Sequence, residues 1–346
     1  PALVVGDGPP RTDTDVTLYA AADGWNGGVA PDPGGLRRDA TPLAGVVAGA
    51  VAVSEAFQHL AGLSAVAARR PAGLALWAPG ADWRTADPGP ALSALPSGLW
   101  LVGLGHLGQA YLWSLGLLPY ASPHTVDVVL QDTDWASEAN RSTSPLTFAG
   151  DVGLRKTRVA AAWAEGVGFT SHIVERRFDG GVRRQPAEPA LALFGVDNPA
   201  ARSVSEGAGF ARVVDGGLGA GAGDFLSFQV NGFPGPDEAR NVWGRADEPA
   251  LVGVDGLGPA YRGLAEEARR RGEDACGVVR LAGVAVGASF VGLAASAVVV
   301  AEAVRLAMGE PGLALVDGTL DDIGRVTGVP ASRRPCYGLG FTEALR

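Results

Sequence analysis

The run Gly103-Leu104-Gly105-His106-Leu107-Gly108 constrains this chain more than any other feature. Its three glycines follow the apolar run Leu99-Trp100-Leu101-Val102 and precede a segment of helical character that reaches about Leu118. In a strand–loop–helix setting each glycine has a separate use. The first permits a tight turn, the second lets a phosphate approach the backbone, and the third lets the helix pack closely on the strand. The free N–H groups at the start of such a helix favour anions. The pattern therefore predicts a nucleotide-binding crossover at Gly103, Gly105 and Gly108. It does not name the nucleotide. Asp132, at the end of the next apolar run, suits ribose hydroxyls, so NAD and ATP both stay open on this evidence.

From Leu99 onward apolar strands alternate with helices. Strands are expected at 99–103, 126–132, 171–176, 191–196 and 212–214, and helices from the glycine loop to Leu118, over 154–166 and over 199–208. That order predicts an α/β fold, a doubly wound and mostly parallel Rossmann-like sheet. Residues 224–233 alternate and read as an antiparallel edge. Residues 261–271 read as a charged amphipathic helix, and a long apolar helix closes the core. Its uncharged stretch, 281–301, is about long enough to span a bilayer. It lacks an aromatic belt and a flanking basic cluster, so it reads as a buried helix and no membrane partner is expected. Residues 1–95 differ in character, being rich in Gly, Pro and Ala. Strands at 3–5, 16–21 and 74–77, a helix within 43–68 and a linker at 78–97 give a smaller N-terminal α/β domain, a candidate for substrate or partner recognition. The main domain then runs over 96–346.

Composition narrows the function classes. With 47% hydrophobic and 19% charged residues, 346 residues can bury a sizeable core. A formal charge of -9 argues against a broad grip on nucleic acid. Two cysteines, Cys276 and Cys336, are too few for a disulfide framework or a four-cysteine zinc site. No structural zinc is expected, and a reducing cytoplasm is. The N-terminus has no basic segment leading into a long apolar run, so no signal peptide is expected. His59, His106, His124 and His172 show no metal-ligand spacing; His106 lies inside the glycine loop, as a phosphate contact or as part of the helix start.

The segment after the second strand bears on the choice of nucleotide. Asp132 and Asp134, then Asn140, then Asp151 and Gly153, then Lys156 stand in gap-free order, and Val196-Asp197-Asn198 ends a later strand, with Arg202 following. This set resembles the signature of the ThiF/MoeB/HesA adenylating enzymes, the family that includes ubiquitin-activating enzymes. The resemblance runs from about Leu99 to Gly309. It implies binding of ATP with Mg²⁺ and attack of a carboxylate on the α-phosphate. The carboxylate would be the C-terminal glycine of a ubiquitin-like or sulfur-carrier protein, and the enzyme a homodimer. Lys156 would hold the phosphates, Asp197 the metal and Asp132 the ribose, with Asp134, Asn140, Arg141 and Asn198 around the nucleotide. A helix cap before Pro199 is the other use for Asp197. The resemblance also points to Cys276 as a nucleophile that takes over the acyl group; Cys336 has less in its favour.

Three departures stand out. Thr143 occupies the position of the family arginine, leaving Arg141 or another chain to supply that charge. Paired zinc-binding cysteines are absent. Residues 1–95 have no counterpart in the minimal members. Other readings are peptide adenylation in natural-product biosynthesis, a catalytically inactive scaffold, and an NAD-dependent oxidoreductase, which leaves Lys156 and Asp197 unexplained.

Overall fold

The computed structural model describes residues 1–346 except 7, 10–12, 34–38, 220, 222, 245–286, 332–337 and 346. Cys276, Cys336 and the helix expected at 261–271 lie outside the described residues.

Strands β1 (Ala2–Val4), β2 (Thr17–Asp23), β3 (Asn26–Ala30) and β4 (Ala72–Ala75) form a four-stranded sheet in that order. Helix α1 (Pro42–Leu60) joins β3 to β4 and packs on β2, β3 and β4. Pro42 opens it, and the Thr41 hydroxyl accepts from Ala44 N at 3.3 Å, a cap of the expected kind. Strand β3 was not anticipated, because Asn26-Gly27-Gly28 reads locally as a turn. The glycine is there for clearance: a Cβ at Gly27 would lie 2.8 Å from the carbonyl carbon of Ala44 in α1.

The second sheet has eight strands in the order β13-β12-β11-β10-β9-β6-β7-β8. Strands β6 (Gly98–Val102), β7 (Asp127–Gln131), β8 (Thr170–Val174), β9 (Leu191–Phe194) and β10 (Arg212–Leu218) are parallel. Strands β11 (Ser227–Phe233), β12 (Leu313–Thr319) and β13 (Thr327–Pro330) continue it antiparallel. The expected antiparallel strand at 224–233 is present, but it is interior and not an edge, since β12 and β13 pair beyond it. The linker expected at 78–97 is also partly ordered into β5 (Ala94–Pro96), which pairs with β14 (Phe341–Glu343).

Side-chain alternation builds the two faces. Leu99, Leu101, Leu191 and Leu193 join a core with α1, α2 (His106–Gly116), α4 (Lys156–Gly166) and α7 (Ser289–Ala307). Here α3 (Asn140–Thr143), α5 (Pro199–Ser203) and α6 (Ala239–Trp243) are short. Trp100, Val102, Ala192 and Phe194 face the other way, onto α5, α6 and the rings of Phe178 and Phe210. The helix expected at 199–208 is shorter than expected, with a separate 3-10 turn at Ser205–Ala208 closed by left-handed Gly209. Helices α1 and α7 are each long and apolar enough to cross a membrane. Most of α7 is nevertheless buried in this core, as the buried-helix reading expects.

A buried charge cluster ties α7 and β12 to the segment that follows β4. Glu302 accepts from Leu313 N at 2.8 Å and lies 3.3 Å from Arg305 Nε. Arg305 donates to the Trp77 carbonyl at 2.7 Å and stacks 4.1 Å over the Trp77 ring. Burial pushes the Glu302 carboxyl up to about 7, against the opposing pull of Arg305, the Leu313 N–H and Arg212. A carboxyl raised from about 4.5 binds protons more readily folded than unfolded. Its contribution is complete below pH ~4.5 and is lost as pH rises through about 7. Urea denaturation between pH 5 and 8 should therefore show a decline that is shallower in Glu302→Gln. An unchanged slope in that variant would count against this assignment.

Candidate nucleotide site

Strand order reverses between β6 and β9: β7 and β8 lie to one side of β6, and β9 and β10 to the other. The crevice at the C-terminal ends of such a pair is where doubly wound sheets take ligands. Three of the expected segments leave the sheet at this end: the glycine loop after β6, Asp132–Asp134 after β7, and Val196-Asp197-Asn198 after β9.

The three glycines stand in different surroundings. Gly103 is left-handed, with φ +84, and a Cβ there would meet Val196 Cγ1 at 2.6 Å, so the loop runs tight against the exit of β9. A Cβ at Gly108 would fall onto the Gly103 carbonyl, 2.8 Å from its carbon and closer still to its oxygen. Gly105 is open: the nearest heavy atom to a Cβ there is Lys156 Nζ, at 4.0 Å. Gly105 also begins α2 without any side-chain cap, leaving the first N–H groups of that helix for a ligand.

Asp132 braces the loop. One carboxylate oxygen accepts from Leu104 N at 2.6 Å and the other from Asp134 N at 2.7 Å. Asp134 is paired with Lys156: Oδ2 lies 2.9 Å from Nζ, and its carbonyl accepts from Lys156 N at 3.0 Å. The lysine side chain is 12% exposed, so its direction is fixed by packing as well as by the pair. Asp151 accepts from Phe148 N at 2.7 Å, and Gly153, at φ +88, turns the chain toward α4.

Other expected residues are occupied locally. Asn140 Oδ1 accepts from the Ser137 N–H at 2.9 Å and its hydroxyl at 3.0 Å. Arg141 pairs with Glu138 on the surface. Asn198 Oδ1 accepts from Ala200 N at 2.9 Å, so Asn198, and not Asp197, caps the helix that begins at Pro199. Asp197 is exposed, and among the described residues its carboxylate has no hydrogen-bonding partner. Arg202 is buried. It donates to the carbonyls of Val196 at 2.7 Å and Gly216 at 2.6 Å, lies 3.5 Å from Asp215, and faces the Trp243 ring at 4.4 Å. It thus fixes the backbone that carries Asp197. Burial raises the Asp215 carboxyl to about 6, opposed chiefly by Arg202.

The His106 ring turns away from the open side of Gly105. It packs against the start of α7, where a Cβ at Gly292 would lie 2.9 Å from Cε1, and burial lowers its pKa. Two neighbours were not anticipated. Gln109, wholly buried in α2, bonds to the glycine loop and to residues 146–147. Arg155 bonds to the Thr133 carbonyl and stacks 4.3 Å from the Trp135 ring, beside Lys156. A lone glutamine on an otherwise apolar helix face was the available signal for the first; nothing local marks the second.

The arrangement suits a polyphosphate: open backbone at Gly105, helix N–H groups, and one oriented ammonium. Among the described residues no group of three or more metal-ligating side chains forms. The donor set fits a divalent ion that Asp197 would share with phosphate oxygens, and not a caged ion.

Comparison with known proteins places the chain among relatives. The BilD C-terminal domain family matches residues 95–310 and the BilD N-terminal domain family residues 1–76. The bacterial E1-like protein BilD of Collimonas sp. (strain OK412) is 39% identical over 352 residues, covering 100% of this chain and 74% of that protein. Among solved structures, E. coli MccB with succinimide is 13% identical with a TM-score of 0.45 over 70% of this chain and 66% of that one, just under two thirds of it. E. coli MccB with ATP is 13% identical with a TM-score of 0.44, over 70% and 67%. Those two likenesses are distant.

Proposed function

This chain belongs to the BilD family of bacterial E1-like proteins, and from that premise we propose that it is an adenylyltransferase acting on ATP and the C-terminal glycine of a ubiquitin-like or sulfur-carrier protein. The observation that carries the reading is the open face of Gly105, with Lys156 Nζ 4.0 Å from the point where a Cβ would stand. A dinucleotide site has no need of that ammonium; a triphosphate has.

In the proposed reaction a carboxylate oxygen attacks the α-phosphorus. An acyl–O–P bond forms, the bond to the β-phosphate oxygen breaks, and pyrophosphate leaves with the electron pair. The N–H groups at the start of α2 and Lys156 would offset the charge that builds on the phosphates. Asp197 would hold Mg²⁺, which lowers the charge on the leaving pyrophosphate when bound. Asp132 would keep the loop in place while accepting from the ribose. A thiolate at Cys276 would then attack the acyl carbon and release AMP, leaving a thioester. Length allows this: Gly287, about eleven residues on in sequence, lies beside His106 and Thr143, and such a span reaches at most about 40 Å. We propose that the enzyme works in the cytoplasm as a homodimer.

The test is ATP–pyrophosphate exchange by the purified protein with carrier proteins ending in glycine and, separately, with short peptides. Exchange that needs a carrier with a free C-terminal glycine supports the reading. Exchange with peptides alone would replace the carrier by a peptide substrate. ATP binding without exchange would favour a scaffold, and NAD binding without ATP binding an oxidoreductase.

A further inference from the structure

Leu104, between the first two glycines of the loop, is gripped from both sides. Its N–H goes to Asp132 at 2.6 Å, and its carbonyl accepts from Gln109 Nε2 at 3.1 Å. The same carboxamide reaches the other way: Gln109 Oε1 accepts from Leu146 N at 3.1 Å and from Thr147 Oγ1 at 3.0 Å. Leu146 and Thr147 are buried and follow closely on the Asn140–Thr143 turn. Gln109 itself is fully buried.

A buried glutamine is unfavourable unless its amide is satisfied, and an apolar side chain of the same length would fill the volume without that risk. The helix does not need it for anchorage, because Leu107, Tyr111, Leu112 and Leu115 bury α2 in the core. What the amide adds is a tie between two loops that no shared strand or helix connects. One of them presents the open backbone at Gly105; the other returns from Asn140 toward the Asp151 turn that leads to Lys156. We propose that Gln109 is a positioning residue for the nucleotide, setting the separation between the glycine loop and the Asn140–Thr147 segment. The inference rests on the ATP reading above.

The experiment compares the parent with Gln109→Met, which keeps length and removes all three bonds, and Gln109→Glu, which keeps an accepting oxygen for Leu146 and Thr147 and, as a buried protonated acid, an O–H donor for Leu104. Exchange kinetics, ATP affinity by calorimetry, urea stability and hydrogen exchange of peptides covering 144–150 are measured on each. Gln109→Met should raise KM and Kd for ATP about tenfold or more, leave the KM for the carrier unchanged, and speed hydrogen exchange at 144–150. Gln109→Glu should retain slow exchange there and show a smaller rise in KM for ATP. Parental ATP affinity in a folded Gln109→Met overturns the proposal, as does a loss in both variants that follows global stability alone. If the parent binds ATP but gives no exchange, the adenylation reading fails while the ATP-affinity and hydrogen-exchange arms still decide the role of Gln109. If the parent binds no ATP, both fall.

Discussion

Gly108→Ala is expected to lose on the order of 3 kcal/mol of stability or more, while Gly105→Ala stays folded and loses at least about tenfold in ATP affinity. Overpacking a well-filled core costs about 1–3 kcal/mol when side chains can give way. At Gly108 the obstacle is the backbone of Gly103, whose carbonyl carbon would lie 2.8 Å from the new methyl group. Relief requires α2 to move off β6, and that contact is the floor of the site. At Gly105 the methyl meets no atom nearer than Lys156 Nζ at 4.0 Å, so the fold accommodates it and it takes up the space a phosphate would use. Urea denaturation and ATP calorimetry on the two variants separate these outcomes. A Gly108→Ala protein as stable as the parent, or a Gly105→Ala protein with parental affinity, would contradict the roles assigned to the loop.

Lys156→Ala and Asp197→Ala should each reduce ATP–pyrophosphate exchange by about 10²–10³-fold, the usual result of removing one preorganised electrostatic group from a reacting centre. Neither should unfold the protein. Asp134, the partner of Lys156, is 64% exposed, and such pairs contribute about 0–1 kcal/mol. Asp197 has no partner among the described residues to lose. Asp134→Ala is the informative control: it frees the ammonium without removing it and should cost far less activity than Lys156→Ala. Parental exchange in either of the first two variants would show that the phosphates lie elsewhere.

How much of this was legible in the sequence depends on the range of the interaction. The β6–glycine loop–α2 unit could be read because its signals are local: an apolar run, three glycines, a helix start. The parallel strands β7, β9 and β10 were legible for the same reason. Pairings between distant segments left no local trace. Strand β11 alternates like an edge, and only β12, some eighty residues later, makes it interior. Strand β3 was hidden because the glycines that admit α1 also resemble a turn. At the site, motif spacing located segments but not side-chain directions. Asn140, Arg141 and Asn198 spend their polar atoms on neighbours a few residues away, which short side-chain-to-backbone bonds always permit. Gln109 was passed over because a polar residue in a helix reads as solvent-facing until its burial is known.

The pairing of β5 with β14 has a wider consequence. Residues 94–96 and 341–343 lie side by side, so everything between them, the nucleotide site included, departs from and comes back to one address. A segment whose two ends meet leaves and rejoins its chain without stretching either neighbour. The region that carries the nucleotide site thus closes on itself at its two ends, with the strand pair as the clasp, while α1 and the hold of Arg305 on Trp77 keep it seated against residues that precede it.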